Sequence, residues 1–425
     1  MTRSLPVYVF AALLMAAAPR PVLAQAGDIR VLGEVRVRAE AEEPAAIDTG
    51  NVFSLLRARL GIEAVLAPRA LLFVQVQDAR TFGEEVTTTD GSADQLDVHQ
   101  AWLQYGSTIG DWEWAVRAGR QEINLGNERL VGAVGWSNTG RAFDAARLTF
   151  GPEQASWNVS ALAAIVQERG RRLTGTAGED HLLLGAFVDA APVELFALHD
   201  SDAAFRLWSD VDRTTAGGRI VTPAAAGFTA AIEGAYQFGS QTGLFDDIVL
   251  PQDIRAWLLA GRIGYDTPFS ILPRLGVGID VLSGDDSPAD SEYGAFNTLY
   301  ATNHKFYGYI DFFLDPAART MDRGLIDGVA SVSAGLPRGL NLNLDAHAFW
   351  LHEDLPVDVD RLIGWEMDVT VPVQLGAGQQ LQLGYSAFRN GPAAEFIGLG
   401  REREWSHWGY VQATFSFGGG AAPLR

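Results

Sequence analysis

The chain has 425 residues, no cysteine and a formal charge of −20. These values exclude a disulfide scaffold and a thiolate metal centre, and they argue against nucleic acid as a partner, which needs a basic face. Hydrophobic residues make up 48%, yet no stretch after residue 24 reaches about 18 uninterrupted apolar residues, so a spanning helix is not expected.

Residues 1–24 read as a secretory signal peptide. Arg3 gives the basic start, Val7 to Ala18 the short apolar centre, and Val22 and Ala24 the small-residue cleavage positions before Gln25. Leu23 is not followed by Cys, so lipidation is not indicated. The remainder, 25–425, reads as one domain.

From Arg30 to Glu40 the residues alternate. Val31, Gly33, Val35, Val37 and Ala39 fall on one face of a strand; Arg30, Glu34, Arg36, Arg38 and Glu40 fall on the other. A second strand, Val52 to Leu66, puts Arg57, Arg59 and Glu63 opposite Ala58, Leu60, Ile62 and Ala64. After the tight turn Ala67-Pro68-Arg69, a third sets Leu72, Val74 and Val76 against Gln75 and Gln77. A polar loop from Thr81 to Gln95 precedes a fourth, with Gln100 and Gln104 opposite Ala101, Leu103 and Tyr105. The fifth turns Trp112, Trp114, Val116 and Ala118 outward and Arg117 inward.

The rhythm continues along the chain. Short connections fall near Gly151-Pro152, Ala191-Pro192, Thr222-Pro223, Thr267 to Pro273, Leu336-Pro337 and Val373 to Gly378. Long polar connections fall at 122–140, 167–180, 201–214, 239–252, 284–324, 352–361 and 390–406. Alternating short and long connections, exported strands with one apolar face, and about 18 strands predict an all-β fold. It is a transmembrane antiparallel up-and-down β-barrel, with short periplasmic turns and long external loops, seated in outer-membrane lipid. The least distinct strands are 215–222 and 325–335.

In the last strand Val411, Ala413, Phe415 and Phe417 face one way and Tyr410, Gln412, Thr414 and Ser416 the other. Barrels often end on an aromatic that the barrel assembly machinery reads; here Gly418 to Arg425 trail behind Phe417. Trp112, Trp257, Tyr265, Trp350, Trp365 and Trp408 lie near strand ends, where interfacial aromatic girdles are expected.

Two stretches go beyond barrel grammar. One is Gly119-Arg120-Gln121-Glu122, continuing through Gly126-Asn127-Glu128-Arg129-Leu130, Trp136, Asn138, Gly140-Arg141, Phe143-Asp144 and Arg147. The other is Ser283-Gly284-Asp285-Asp286, then Phe296-Asn297, Tyr300, Thr302-Asn303-His304-Lys305 and Tyr307-Gly308-Tyr309 with Asp311. Together they resemble the alginate export family of outer-membrane proteins, over roughly Arg30 to Phe417. The resemblance implies a monomeric barrel passing anionic uronate polysaccharide through an arginine-lined lumen. It also contributes Arg120 and Arg141, which sit at loop junctions where strand parity fails.

Parity assigns Arg30, Arg36, Arg38, Arg57, Arg59, Arg117, Arg147, Arg219 and Arg262 to the lumen. Guanidinium forks match carboxylates geometrically, and a conducting pore needs many modest contacts rather than one tight site. The expected anion-binding set is therefore Arg57, Arg59, Arg117, Arg120, Arg141, Arg147, Arg219 and Arg262. Inward carboxylates oppose them: Glu34, Glu63, Glu233, Asp280, Asp345, Glu366 and Asp368. Asp280, Asp345, Glu366 and Asp368 lie on later strands, which predicts a two-sided lumen with a transverse field. The same residues also fit a bracing ladder, and both readings stay open.

His304, Asp285, Asp286 and Asp290 share the longest loop, but their spacing matches no defined calcium loop, and a solvated acidic loop is expected instead. His347 beside Asp345 reads as a lumen hydrogen-bond pair. Ser283-Gly284-Asp285 is not a nucleophile elbow, and no catalytic set, cofactor or metal site is read. The leading function is passive export of an alginate-like polysaccharide; the alternative is a porin for small anionic or sugar-acid solutes.

Overall fold

The computed structural model describes residues 27–46, 49–82, 94–153, 157–167, 180–202, 210–245, 248–269, 271–336 and 340–418. The expected signal peptide therefore lies outside the described residues. So do most of the loops expected at 81–95 and 167–180, half of that expected at 201–214, and Pro337 of one expected turn.

The first wall runs through β1 (Ile29–Glu43), β2 (Asn51–Ala67), β3 (Ala70–Phe82), β4 (Asp94–Ile109), β5 (Trp112–Gln121) and β6 (Phe143–Pro152). It continues through β7 (Trp157–Gln167), β8 (His181–Ala190), β9 (Val193–Asp202), β10 (Val211–Val221), β11 (Phe228–Phe245), β12 (Ile248–Asp266) and β13 (Arg274–Leu282). The last arc is β15 (Leu325–Leu336), β16 (Leu340–Leu351), β17 (Leu362–Gly376), β18 (Gln379–Asn390) and β19 (Trp405–Phe417). Only β14 (Glu292–Tyr293) departs from this path, pairing in parallel with β12. Antiparallel pairing of β1 with β19, from Gly33 opposite Phe417 to Glu43 opposite His407, closes the other eighteen into a barrel. Closure leaves no strand at an open edge of the sheet, which lipid requires.

The faces follow the sequence pattern. Val31, Val35, Val37, Leu60, Ile62, Val411, Phe415 and Phe417 are exposed on the outside, where acyl chains cover them. Strands β10 and β15, the least distinct in the sequence, are both formed.

Two expectations are corrected. The polar stretch 239–252 is not a long loop: β11 extends to Phe245 and β12 starts at Ile248, so most of it is paired strand. Its polar side chains look like a loop, but an outer hairpin beyond the bilayer needs backbone pairing rather than apolar side chains. Trp408 is not in the outer girdle. It is buried inside, and its indole N–H donates to Glu40 at 2.8 Å. It shares parity with the inward Tyr410, which is itself buried.

The apolar core lies inside the barrel. Ile123, Leu130 and Val131 from the β5–β6 connection pack with Phe296, Tyr307 and Phe313 from the β13–β15 connection and with Ala393, Ile397 and Leu399 from the β18–β19 connection. Wall residues Leu162, Leu183, Phe349 and Phe388 complete the cluster. The β13–β15 segment also holds a short helix, α1 (Pro316–Arg319), capped by Asp315.

Candidate functional site

Two connections fold into the lumen and join there. Tyr300 N donates to Leu130 O at 2.8 Å, Gly132 N to Tyr300 O at 2.8 Å, and Thr302 N to Glu128 O at 3.0 Å. This small ladder ties 122–142 to 283–324. The Tyr300 hydroxyl then reaches the far wall, donating to Asp200 at 2.5 Å and lying 2.8 Å from His181 Nε2.

The arginines of β1 and β2 hold the first connection against the wall. Arg36 donates to Gly135 O and Ser137 O, both at 2.8 Å, and Arg38 to Trp136 O at 2.9 Å. Arg57 donates to the same Gly135 and Ser137 carbonyls and pairs with Glu34 at 2.7 Å. Arg59 reaches Thr139 O at 3.3 Å and pairs with Glu122 at 3.0 Å. A bulge in β4, where Val98 and Gln100 pair with consecutive residues of β3, turns His99 inward to within 2.7 Å of the same Glu122. Arg141 is taken up by carbonyls as well, donating to Tyr300 O, Ala301 O and Gly132 O.

Arg117 and Arg147 differ from these. They stand directly opposite each other in the β5–β6 register. Arg117 donates twice to Gln104 Oε1, at 2.9 and 2.7 Å, and its guanidinium lies 4.0 Å from the Trp102 ring centroid. Arg147 donates to Ser160 Oγ at 3.1 Å, and its buried Nε has no acceptor. Among the described residues neither forms an ion pair.

Arg120 does not join the lumen set. It stands opposite Asp144 in an unbroken register, three residues from the inward Arg117 and hence on the other face. It binds Asp144 through two bonds, at 3.0 and 2.8 Å, with Asp97 3.7 Å away.

Across the lumen the remaining arginines are paired. Arg219 meets Glu194 at 3.2 Å. Arg262 binds both oxygens of Asp280, at 2.5 and 2.9 Å. Arg129, from the β5–β6 connection, crosses to Asp280 at 2.7 Å and Glu233 at 3.1 Å, beneath the Phe306 ring. Asp280 is thus neutralised between two guanidiniums. Among the described residues Asp345, Glu366 and Asp368 have no guanidinium partner: Asp345 and Asp368 face each other across β16 and β17, His347 Nε2 lies 3.9 Å from Asp368, and Glu366 accepts from Ile310 N at 2.9 Å. His347 pairs with Asp327 at 2.9 Å rather than with Asp345, because Asp327 sits on the neighbouring β15 with its carboxylate buried.

The external aspartates do not gather with His304. That ring pairs with Asp311 at 2.7 Å and stacks on Trp136 at 4.4 Å. Among the described residues no His/Cys/Asp/Glu group is arranged to hold a metal. Nor is Asp285 solvated. It is buried and accepts from Gly294 N, and burial pushes its carboxyl up to about 6, with Asp290, Asp322 and Asp286 adding to the rise. Burial raises Asp322 as well.

The expected site thus missed Arg129 and left Arg36 and Arg38 outside its anion-binding set. Parity marks Arg36 and Arg38 as inward, but Arg129 has no strand to set its direction.

A family model described as alginate export matches residues 29–355. No curated protein is similar enough to match the chain. Among solved structures, Acinetobacter baumannii OccAB1 superposes with a TM-score of 0.60 at 12% identity, covering 92% of this chain and 97% of that one. Pseudomonas aeruginosa OccK5 (OpdH) gives 0.57 at 13% identity, covering 92% and 98%. Pseudomonas aeruginosa OccK2 (OpdF), solved in complex with glucuronate, gives 0.57 at 11% identity, covering 92% and 99%. At such identities the likeness concerns the fold. The family match spans most of the chain, and the closed eighteen-strand barrel with its polar lumen agrees with it: the chain belongs to the alginate export family and is an outer-membrane channel.

Proposed function

We propose that the channel passes anionic uronate polysaccharide outward across the outer membrane, with Arg117 and Arg147 as its open anion contacts. One observation carries the reading. Of the eight arginines expected to bind anions, these two alone have, among the described residues, neither a carboxylate partner nor a backbone carbonyl on the guanidinium. Two adjacent guanidiniums in a polar lumen attract carboxylates, and the confined site is screened less than the surface, where charges fade within about 8–10 Å at physiological salt. The overall charge of −20 does not oppose this, because the acidic residues of the external loops are the screened ones.

A second reading, uptake of small anionic or sugar-acid solutes, draws support from the inserted loops. They narrow the lumen, and the fold relative OccK2 was solved with glucuronate. Planar-bilayer recording of wild type and the R117Q/R147Q double variant tests the proposal. Wild type is expected to prefer chloride over potassium and to be blocked by uronate oligomers. The variant is expected to lose much of both. Unchanged selectivity in the variant refutes the assignment. Liposome permeation of monomeric uronates with exclusion of oligomers favours uptake.

A further inference from the structure

Four arginines on one wall hold a stretch of main chain as though it were a polyanion. The Gly135 and Ser137 carbonyls each accept from both Arg36 and Arg57. The Trp136 carbonyl accepts from Arg38, and that of Thr139 from Arg59. Arg36 and Arg57 are directly opposite in the β1–β2 register and both are buried. Glu40, Glu34 and Glu122 pair with Arg38, Arg57 and Arg59, but among the described residues Arg36 has no carboxylate partner and its buried Nε has no acceptor. The segment facing them, Gly135–Thr139, carries no charge of its own.

We propose that Arg36, Arg38, Arg57 and Arg59 form a second site for the carboxylates of a polyuronate, and that Gly135–Thr139 is its resident self-ligand, displaced when the polysaccharide arrives. This rests on the reading of the barrel as a uronate channel.

The physical case is a competition for donors. A carboxylate adds ion-pair attraction and a bidentate fit that a neutral carbonyl lacks, so a chain of carboxylates outbids the segment at its own donors. The segment is also built to leave as a unit. Val134 at φ 50° and Gly140 at φ 71° flank it, and the first is a conformation that a β-branched residue rarely adopts. Beyond Gly140, Arg141 anchors the connection to Tyr300, so the flanks stay in place while the segment swings. Without ligand the segment is kept docked by Trp136, held between Arg38 and His304, and by Asn138, whose amide donates to Leu56 O and Arg80 O. Displacement widens the lumen along the arginine wall, where a polymer must pass.

The native chain has no cysteine, so N138C carries the only thiol. The Asn138 Oδ1 is shielded from solvent, so a thiol there is protected while the segment is docked. The rate of its modification by an uncharged maleimide is measured alone, with a mannuronate hexamer and with neutral maltohexaose. Block of the bilayer current by the hexamer is followed in parallel. Acceleration by the hexamer of about tenfold or more, with none from maltohexaose, supports the proposal. Block without acceleration overturns the displacement and leaves the Arg117–Arg147 reading standing. Neither block nor acceleration overturns both. Equal acceleration by maltohexaose shows that charge is not the agent and also overturns it. If N138C lacks a heat-modifiable folded band, a spin label on S137C reports the same motion, with the same outcomes.

Discussion

Arg129 leaves the β5–β6 connection, crosses the lumen and meets Asp280 of β13 at 2.7 Å, in a site that excludes water from both. The pair fastens a loop from one wall to the other. Asp280 keeps a second partner in Arg262, whereas among the described residues Glu233 meets only Arg129 and the Asn127 amide. Charge is therefore balanced only while the loop is inserted.

Replacing Arg129 with Met should loosen that loop. It leaves the Glu233 carboxylate buried without a cation, a change that costs about 3–5 kcal/mol when a buried pair is broken. We expect larger and noisier unitary conductance and an earlier urea unfolding midpoint, with β-content unchanged. A wild-type conductance trace from R129M would show that the crossing residue is dispensable.

Arg120 supplies a control for the lumen. It faces outward on β5 and is engaged by Asp144. The R120Q variant should keep wild-type ion selectivity, in contrast to R117Q/R147Q. Reversal potentials in a salt gradient compare the two. A selectivity change in R120Q as large as in the double variant would contradict the outward assignment.

The Tyr300 hydroxyl joins the second connection to β8 and β9 through His181 and Asp200. Removing it in Y300F takes away a hydrogen bond to a charged acceptor, worth about 1.5–3 kcal/mol. The ring remains beside Phe143, so the barrel should fold normally. Faster cleavage within 283–324 by protease added to intact cells is the expected result.

Asp285 gives the external loop a pH dependence. Its carboxyl is raised to about 6 in the folded protein, above its ordinary value of about 4. The protonated form is thus the one the fold favours. Its contribution is fully present below the ordinary value and is lost as pH rises through about 6. Asp322 beside it is raised too, so its sign is the same. Protease resistance of 283–324 should fall between about pH 4 and pH 8, and D285N should flatten that fall. A steeper fall in D285N would reverse the argument.

The sequence alone determined what depends on a period of two. Which side chains face lipid and which face water is local, because successive residues of a strand point to opposite faces. Val35 and Arg36, or Val116 and Arg117, were separable without any knowledge of their neighbours. The barrel follows from the same rule; the inward turn of Trp408 obeys it too, although its place near a strand end pointed to the outer girdle. What parity could not do was rank the arginines. Arg57 and Arg117 read alike in the sequence, yet one is covered by Glu34 and two loop carbonyls and the other meets the Gln104 amide and the Trp102 ring. The difference comes from a loop that arrives 78 residues away from Arg57. Such contacts are set by where the loop folds, and a loop has no periodicity to announce it. Tertiary structure alone therefore decided that the β5–β6 and β13–β15 connections meet at Leu130 and Tyr300 inside the barrel. That meeting brought the 135–139 carbonyls onto the arginines of β1 and β2 and not onto Arg117 and Arg147.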